Sequence, residues 1–332
     1  MRAMPRVRWM LLATAIVLLP SAALAASVTE IVSQVSQSSY TTYLNQHLFT
    51  HTGDNRGITG SQHDIARTAI YDAFQSFGLA TSLEAFTYNA GTYYNVVGVL
   101  PGKVHPNQIY IIGAHYDSVN NPGADDNASG VAGVLEAART LSQHQFDSTV
   151  VFVGFDREEQ GLYGSTAYAI GHQTDDIRGM ISMDMIAYNP VGSLHDQAYV
   201  YYASATAPAL ATDLATAMLA YGQGLMPSVA RLASASSDHY PFYSRGFEAA
   251  LLIEKGAWSN PNYHKAADSV DTPNYIDYAY ATNMTRSVVG YLATKAVAIP
   301  EPSTLLLLGL GGLLLGTVVG GRLMFAKLLS RG

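Results

Sequence analysis

Residues 108–117 read QIYIIGAHYD, an apolar run that ends in a histidine and an aspartate. The segment Gln108–Ala114 has β-branched or aromatic residues on both faces, which is typical of a strand buried on both sides. Five similar runs recur along the chain: Asn95–Leu100, Thr149–Phe155, Met180–Met185, Ala198–Tyr202 and Ala249–Ile253. We therefore predict a central sheet that is covered on both faces.

Helical segments alternate with these strands. A helix is predicted over Gln62–Phe77, where Ser61 and Asp64 resemble a capping box and Gly78 ends the segment. The other predicted helices are Gly130–Leu141, Pro208–Tyr221 and Ile276–Ala296. This alternation indicates an α/β fold with a mostly parallel, twisted central sheet and helices on both faces. We expect residues 26–299 to form a single domain, because no linker or repeat divides them.

Composition excludes several classes of protein. The chain has 332 residues, 48% of them hydrophobic, and no cysteine. A disulfide scaffold, an iron–sulfur cluster and a cysteine nucleophile are therefore excluded. Residues 26–299 carry 12 basic and 24 acidic side chains, a net charge of −12. Such an acidic domain is a poor partner for nucleic acid or anionic lipid.

The first 25 residues have the pattern of a Sec-type signal peptide. Three arginines precede the apolar run Trp9–Leu19, and Ala23-Leu24-Ala25 forms a small-x-small cleavage site. We predict export and cleavage after Ala25. The alternative, a retained membrane anchor, is disfavoured because eleven apolar residues fall short of the ~20 that span a bilayer.

The C-terminal segment, residues 300–332, has the pattern of a second targeting signal. Pro300-Glu301-Pro302 precedes the uncharged span Leu305–Gly321, and Arg322, Lys327 and Arg331 follow. The span is long enough for a transmembrane helix with its basic end in the cytoplasm. The order of these features resembles the PEP-CTERM sorting signal of Gram-negative bacteria, which an exosortase cuts. This resemblance implies a cell-envelope, cell-surface or secreted protein with transient membrane association, and a permanent tail anchor is the alternative.

Side chains suited to metal binding lie at or near the ends of the predicted strands. Each one alone has a structural explanation, such as a helix cap or a solvated loop. Together they form a histidine and carboxylate set without cysteine, which suits zinc, and the excess of carboxylates is compatible with two ions. The candidates are His115, Asp117, Asp126, Glu158, Glu159, Asp184 and His239.

Five motifs in order carry a family resemblance. The motifs are Gly113–Ser118, Pro122–Gly130, Arg157–Ser165, Asp184-Met185 and Ser237-Asp238-His239. They resemble the successive motifs of the M28 family of zinc exopeptidases, in particular the secreted bacterial aminopeptidases. The resemblance covers roughly residues 60–271 and implies a zinc exopeptidase-like fold.

The resemblance implies a site with two Zn²⁺ ions. Asp126 would bridge the ions, His115 and Asp184 would complete one, and Glu159 and His239 the other. These assignments come from matching each residue to the family motif.

The same resemblance implies two catalytic roles and leaves one histidine open. Glu158 would be the general base, and Asp117 would orient His115 through the far ring nitrogen. In the segment Asn262-Tyr263-His264, the histidine lines the substrate site or anchors a loop.

The implied function is an aminopeptidase acting on peptides with a free N-terminus. Alternatives on the same fold are a carboxypeptidase, a dipeptidase or a glutaminyl-cyclase-like acyl transferase, and a surface binding protein without catalysis. Retention of His115 with the other four ligands and of Glu158 favours two metals and hydrolysis. A serine hydrolase is disfavoured because the chain has no Gly-x-Ser-x-Gly motif.

Overall fold

An eight-stranded sheet forms the centre of the computed structural model, which describes residues 25–206 and 208–299. The sheet has the order β1-β2-β5-β3-β6-β9-β7-β8, and β4 pairs with β10 outside it. The strands are β1 Ala80–Tyr88, β2 Gly91–Leu100, β3 His105–His115, β4 Gln145–Phe146, β5 Ser148–Phe155, β6 Asp176–Met183, β7 Gln197–Tyr202, β8 Met226–Arg231, β9 Ala249–Glu254 and β10 Ala298–Ile299.

All six predicted strands are present, and the prediction of a mostly parallel sheet is confirmed. Strands β5, β3, β6 and β9 run parallel to one another, as do β7 and β8. The pairs β1–β2, β2–β5 and β7–β9 are antiparallel, so the sheet is mixed towards both edges. Strands β1 and β8 were not predicted, because most of their residues are at least partly exposed and their apolar signal is weak.

Eight α-helices surround the sheet in the described ranges. The four predicted helices are present, whereas the predicted capping box is wrong: α3 begins at His63, and no side chain caps its first turn. Ser61 Oγ instead donates a hydrogen bond to Gln62 Oε1. The helices are α1 Val28–Ser33, α2 Gln37–Thr42, α3 His63–Ser76, α4 Gly130–Leu141, α5 Tyr163–Gly171, α6 Ala209–Tyr221, α7 His239–Tyr243 and α8 Tyr278–Lys295.

Helices cover both faces of the sheet, so its central strands are buried throughout. In β5, Val150 and Phe152 pack into the core shared with α4, α6 and α8. Val151 and Val153 point the other way, into the core shared with α5 and α7. This alternation follows from the two-residue period of a strand, and it explains the apolar runs in the sequence.

The parallel strands bring the candidate residues to one edge of the sheet. His115 pairs with Phe155 at the ends of β3 and β5. Gly113 pairs with Ser182 of β6, so Asp184 follows at the same level as His115. Ligand sites of open α/β sheets lie beyond the carboxyl ends of the strands, and the predicted residues meet there.

The turn after β5 is held by close backbone packing. The Asp156 N–H donates to Asn95 Oδ1 (3.2 Å), and Asn95 Nδ2 donates to the carbonyl of Gly164 (2.9 Å). A Cβ atom on Gly164 would lie 2.3 Å from the Asp156 carbonyl oxygen and 2.4 Å from Asn95 Oδ1. Only glycine fits where these segments meet.

Residues 25–299 form one compact unit in the described part of the chain. No helix within it is long and apolar enough to cross a membrane. The predicted signal peptide (residues 1–25, except Ala25) and the predicted sorting signal with its membrane span (residues 300–332) lie outside the described residues.

The Gly164 contact predicts a loss of stability on substitution. Gly164→Ala should lower the free energy of unfolding by about 1–3 kcal/mol, because the added methyl group forces the backbone apart. Gly171→Ala is the matched control in the same helix, since a Cβ atom there meets nothing within 4 Å. Urea unfolding of both variants checks the prediction, and equal stability of the two would contradict it.

Candidate metal centre

His115 lies at the centre of the site. Its Nε2 atom is 3.4 Å from Asp126 Oδ1 and 3.6 Å from Asp184 Oδ1. Its Nδ1 atom is 3.2 Å from the carbonyl oxygen of Asp117 and 3.6 Å from the Asp117 carboxylate. An Nδ1 proton shared with Asp117 leaves Nε2 free to coordinate an ion between Asp126 and Asp184.

The two carboxylate oxygens of Asp126 face two different imidazoles. While Oδ1 faces His115, Oδ2 lies 3.0 Å from His264 Nε2. The same His264 nitrogen is 3.4 Å from Glu159 Oε2. Asp126 therefore stands between a group with His115 and Asp184 and a second group with His264 and Glu159.

The structure does not bring His239 into this centre, contrary to the assignment that the sequence favoured. Neither ring nitrogen has a hydrogen-bond partner among the described residues, and burial alone lowers the pKa of His239 to about 4. The preceding residue, Asp238, is the one that His115 and Asp184 influence electrostatically, and burial raises its pKa to about 7. Within the Ser-Asp-His motif, the charges of the centre thus act on the aspartate, whereas burial alone acts on the histidine.

The sequence left His264 open between lining the substrate site and anchoring a loop. Its position beside Asp126 and Glu159 makes it the imidazole of the second group instead. His264 lies in a loop after β9 and has a positive φ of 59°. In the sequence, the segment Asn262-Tyr263-His264 drew attention to this histidine, but its spacing from the other candidate ligands does not identify it as a metal ligand.

Asp117 holds the two consecutive glutamates in place. Its Oδ1 atom accepts a hydrogen bond from the Glu158 N–H (3.1 Å), and its Oδ2 atom accepts one from the Glu159 N–H (3.2 Å). With their backbone fixed, the two side chains diverge. A Glu158 carboxylate oxygen falls within 4.8 Å of ligand atoms of His115 and Asp184, and Glu159 comes equally close to His115 and Asp126.

The loop that carries Asp126 is held by buried hydrogen bonds from elsewhere in the chain. Asp268 accepts bonds from the N–H groups of Asp125 (2.7 Å) and Asp126 (3.1 Å). The Asp125 carboxylate accepts bonds from the Ala187 N–H and from Asn260 Nδ2, both at 2.9 Å. Asp125 therefore supports the loop, while its neighbour faces the two imidazoles.

A fully buried arginine braces the preceding segment. Arg56 donates hydrogen bonds to the carbonyl oxygens of Tyr116 (2.9 Å), Gly123 (2.8 Å) and Pro122, and to two carbonyls of its own loop. Burial lowers the pKa of Arg56 to about 10, and the nearby Asp268 opposes this shift. A permanent positive charge thus lies next to the acidic centre.

The centre has a strongly negative field. The carboxylates of Asp126 and Glu159, which face the His264 imidazole, raise the pKa of His264 to about 10. Burial and the charge of Asp126 raise the pKa of Glu159 to about 7. Burial also favours protonation of Asp126, yet His115 and His264 lower its pKa to about 2. This crowding of carboxylates around two imidazoles favours cations.

These residues fit zinc. Imidazole nitrogen and carboxylate oxygen are donors that zinc accepts, and their atoms converge within 4.8 Å. Glu159 Oε1 is buried without a hydrogen-bond partner in the described chain, which leaves an acceptor directed at no protein group. A buried carboxylate oxygen of this kind is unfavourable unless a cation or a donor reaches it.

His264 and His239 predict opposite effects on zinc binding. His264→Ala should weaken zinc affinity by more than about 100-fold, because loss of groups that only orient ligands already costs 10–100-fold. His239→Asn should leave the affinity unchanged, since that ring contacts no carboxylate of the centre. Competition with a chromogenic chelator measures both, and a folded His239→Asn variant with the larger loss would restore the sequence-based assignment.

One relative and two solved structures show what the chain is similar to. It is 27% identical to leucine aminopeptidase 1 of Ajellomyces capsulatus over 289 residues, 81% of this chain and 74% of that protein. The structure of BSAP, a zinc aminopeptidase from Bacillus subtilis, matches with a TM-score of 0.54 and 26% identity, over 64% of this chain and 54% of that one. A Bacteroides thetaiotaomicron glutaminyl cyclase matches with a TM-score of 0.66 and 17% identity, over 79% and 99%, which shows the shared fold alone.

Two sequence families match separate parts of the chain. Residues 298–323 match the PEP-CTERM protein-sorting motif, as the sequence predicted. Residues 95–291 match Peptidase family M28, and this range spans β2 to α8 and includes all the residues of the centre. The chain therefore belongs to peptidase family M28.

Proposed function

We propose that this protein is a zinc aminopeptidase that uses two ions bridged by Asp126. The observation that carries the proposal is the position of Asp126, whose two oxygens face His115 and His264 on opposite sides. Membership of family M28 and similarity to an aminopeptidase over most of the chain support the reaction class.

Each ion would have its own ligands in addition to the bridge. His115 and Asp184 would hold one ion, and Glu159 and His264 the other. When bound, zinc acidifies water and polarises the carbonyl group of a peptide. The centre lies just beyond the strand ends, where the ligand sites of open α/β sheets form.

Glu158 would serve as the general base and then as the general acid. It is partly buried, and burial raises the pKa of its carboxyl well above the usual range, although His115 opposes the shift. Its carboxylate would take a proton from the attacking water as the oxygen bonds to the scissile carbonyl carbon. The same proton would go to the amide nitrogen as the carbon–nitrogen bond breaks. Asp117, which binds the Glu158 backbone, would position this carboxylate.

The charge of the site favours an aminopeptidase over a carboxypeptidase. A free α-ammonium group is attracted to a centre rich in carboxylates, whereas a substrate carboxylate needs a cationic partner. Arg56 and Arg157 are both buried, but Arg56 is the one whose charge acts on Asp117 and Asp126, and carbonyl oxygens occupy its donors. Aminopeptidase activity therefore fits better than carboxypeptidase activity.

Two other functions fit less well. A glutaminyl cyclase shares the fold, but retention of a complete second ligand group with His264 and Glu159 favours two ions and hydrolysis. A binding protein without catalysis has no use for a glutamate held beside the metal ligands, and Glu158 is in that position.

The sorting motif indicates a bacterial protein that is exported to the cell envelope. We further propose that residues 1–25 direct Sec-dependent export in a Gram-negative cell. An exosortase-type enzyme would then cut the tail, so that association with the membrane is transient.

A peptide panel tests the proposed reaction. The zinc-loaded protein should release the first residue of short peptides with a free N-terminus and should not cleave their N-acetylated forms, because the acidic centre binds the α-ammonium group. A chelator should abolish cleavage, and added zinc should restore it. Chromatography of the products measures release, and cleavage of acetylated peptides would instead indicate a carboxypeptidase or an endopeptidase.

Within the same panel, Glu158→Gln separates catalysis from metal binding. This variant should retain the zinc content of the wild type and lose at least about 100-fold in kcat, the lower range for general acid–base catalysis. The wild type is assayed in parallel for cyclisation of N-terminal glutamine without hydrolysis, which is the reaction of a glutaminyl cyclase. Undiminished turnover in Glu158→Gln would rule out its role as the base.

Intact mass tests the proposed processing of the tail. Protein extracted from the cell envelope should have lost residues 1–25 and the segment after about residue 300, as expected for a cleaved signal peptide and sorting signal. A full-length C-terminus in the extracted protein would show a permanent tail anchor instead.

A further inference from the structure

A polar pocket, separate from the metal centre, lies at the same edge of the sheet. It has a volume of about 540 Å³, and none of the proposed zinc ligands lines it. Strand β2 runs antiparallel to β5, which places the start of β2 beside the segment after β5. We call it the Arg157 pocket; the lining residues used below are His63, Arg67, Tyr93, Tyr94 and Arg157.

The Arg157 guanidinium is buried with unused donors. Arg157 is 2% exposed, and its guanidinium carbon lies 4.0 Å above the ring of Tyr93. Within the described residues, Nε and Nη1 have no hydrogen-bond partner, and Asp156 Oδ1, 3.8 Å from Nε, is too far away for one. Stacking on Tyr93 covers the face of the guanidinium, whereas its donors point outward in the plane.

The other walls of the pocket are also suited to negative charge. Arg67 lies 5.2 Å over the Tyr94 ring and pairs with Asp64 at 2.9 Å. His63 lies between Asp64 (3.1 Å) and Asp156 (2.8 Å), and both carboxylates favour its protonated form. Two arginines and this imidazole then face two carboxylates. The first turn of α3, which has no side-chain cap, forms part of the same wall.

We propose that the Arg157 pocket binds a small oxyanion, namely a carboxylate or a tetrahedral group such as phosphate or sulfate. Such an ion would supply acceptors in the plane of the Arg157 guanidinium, where bidentate binding is strongest. The hydroxyl group of Tyr93 and the N-terminal turn of α3 would supply further donors. This binding requires no catalysis and is therefore independent of the proposed peptidase activity.

Calorimetric titration of the zinc-loaded full chain with sulfate and with acetate tests the proposal. The wild type should bind at least one of the two ions. Arg157→Gln and Arg67→Gln should each weaken that binding by at least about tenfold, the effect of one lost charged hydrogen bond. Arg178→Gln is the matched control, because Arg178 is exposed and pairs with Asp176 away from the pocket.

Two results would overturn the proposal. One is the absence of binding of either ion to the wild type. The other is equal affinity in Arg67→Gln and Arg178→Gln, which would place the anion elsewhere, for example at the metal centre. Arg67 is more exposed than Arg157, so the test does not depend on the folding of Arg157→Gln.

A kinetic comparison distinguishes the sources of a bound anion. If the pocket takes the C-terminal carboxylate of a substrate, peptide acids should have a KM at least about fivefold lower than the matching amides, and Arg67→Gln should remove the difference. Equal KM values, with sulfate or acetate still bound, would show an independent anion. This comparison rests on the proposed peptidase activity, whereas the calorimetric test stands without it.

Discussion

The repulsion among carboxylates at one buried edge of the sheet is the constraint on which the rest of the site depends. Asp117, Asp126, Glu158, Glu159 and Asp184 lie there close to His115. Such a set is unfavourable in a low-dielectric site unless cations or hydrogen-bond donors offset it. Two imidazoles and one buried guanidinium do so in part, and bound metal ions would complete the balance.

The same constraint explains why the surrounding backbone is held so firmly. A carboxylate that is repelled by its neighbours would turn away if its loop were free. Asp117 therefore binds the backbone of both glutamates, and Asp268 binds the backbone of Asp126. Arg56 donates hydrogen bonds to the carbonyl groups of Tyr116 and Gly123, which lie on either side of residues 117–122. The carboxylates of the centre can stay close together because these hydrogen bonds hold the loops that carry them.

The structure could be predicted from the sequence where a residue pattern is compatible with a single local structure. Runs such as Gln108–Ala114 indicated buried strands, and residues directly after strands, such as His115 and Asp184, had to meet at the carboxyl edge. The second imidazole comes from an irregular loop, where spacing says nothing about direction. Matching to the family motif gives His239 this role, whereas the structure places His264 beside Asp126.

The turn after β5 shows how one short segment serves two sites. Asp156 contacts His63, and Arg157 stacks on a β2 tyrosine, whereas Glu158 and Glu159 point to the metal centre. Arg157 has a positive φ of 61° and lies between the two pairs of contacts. Adjacent residues of one loop therefore serve the cationic pocket and the anionic centre, and this division requires the backbone of the turn to be held as closely as it is at Asn95 and Gly164.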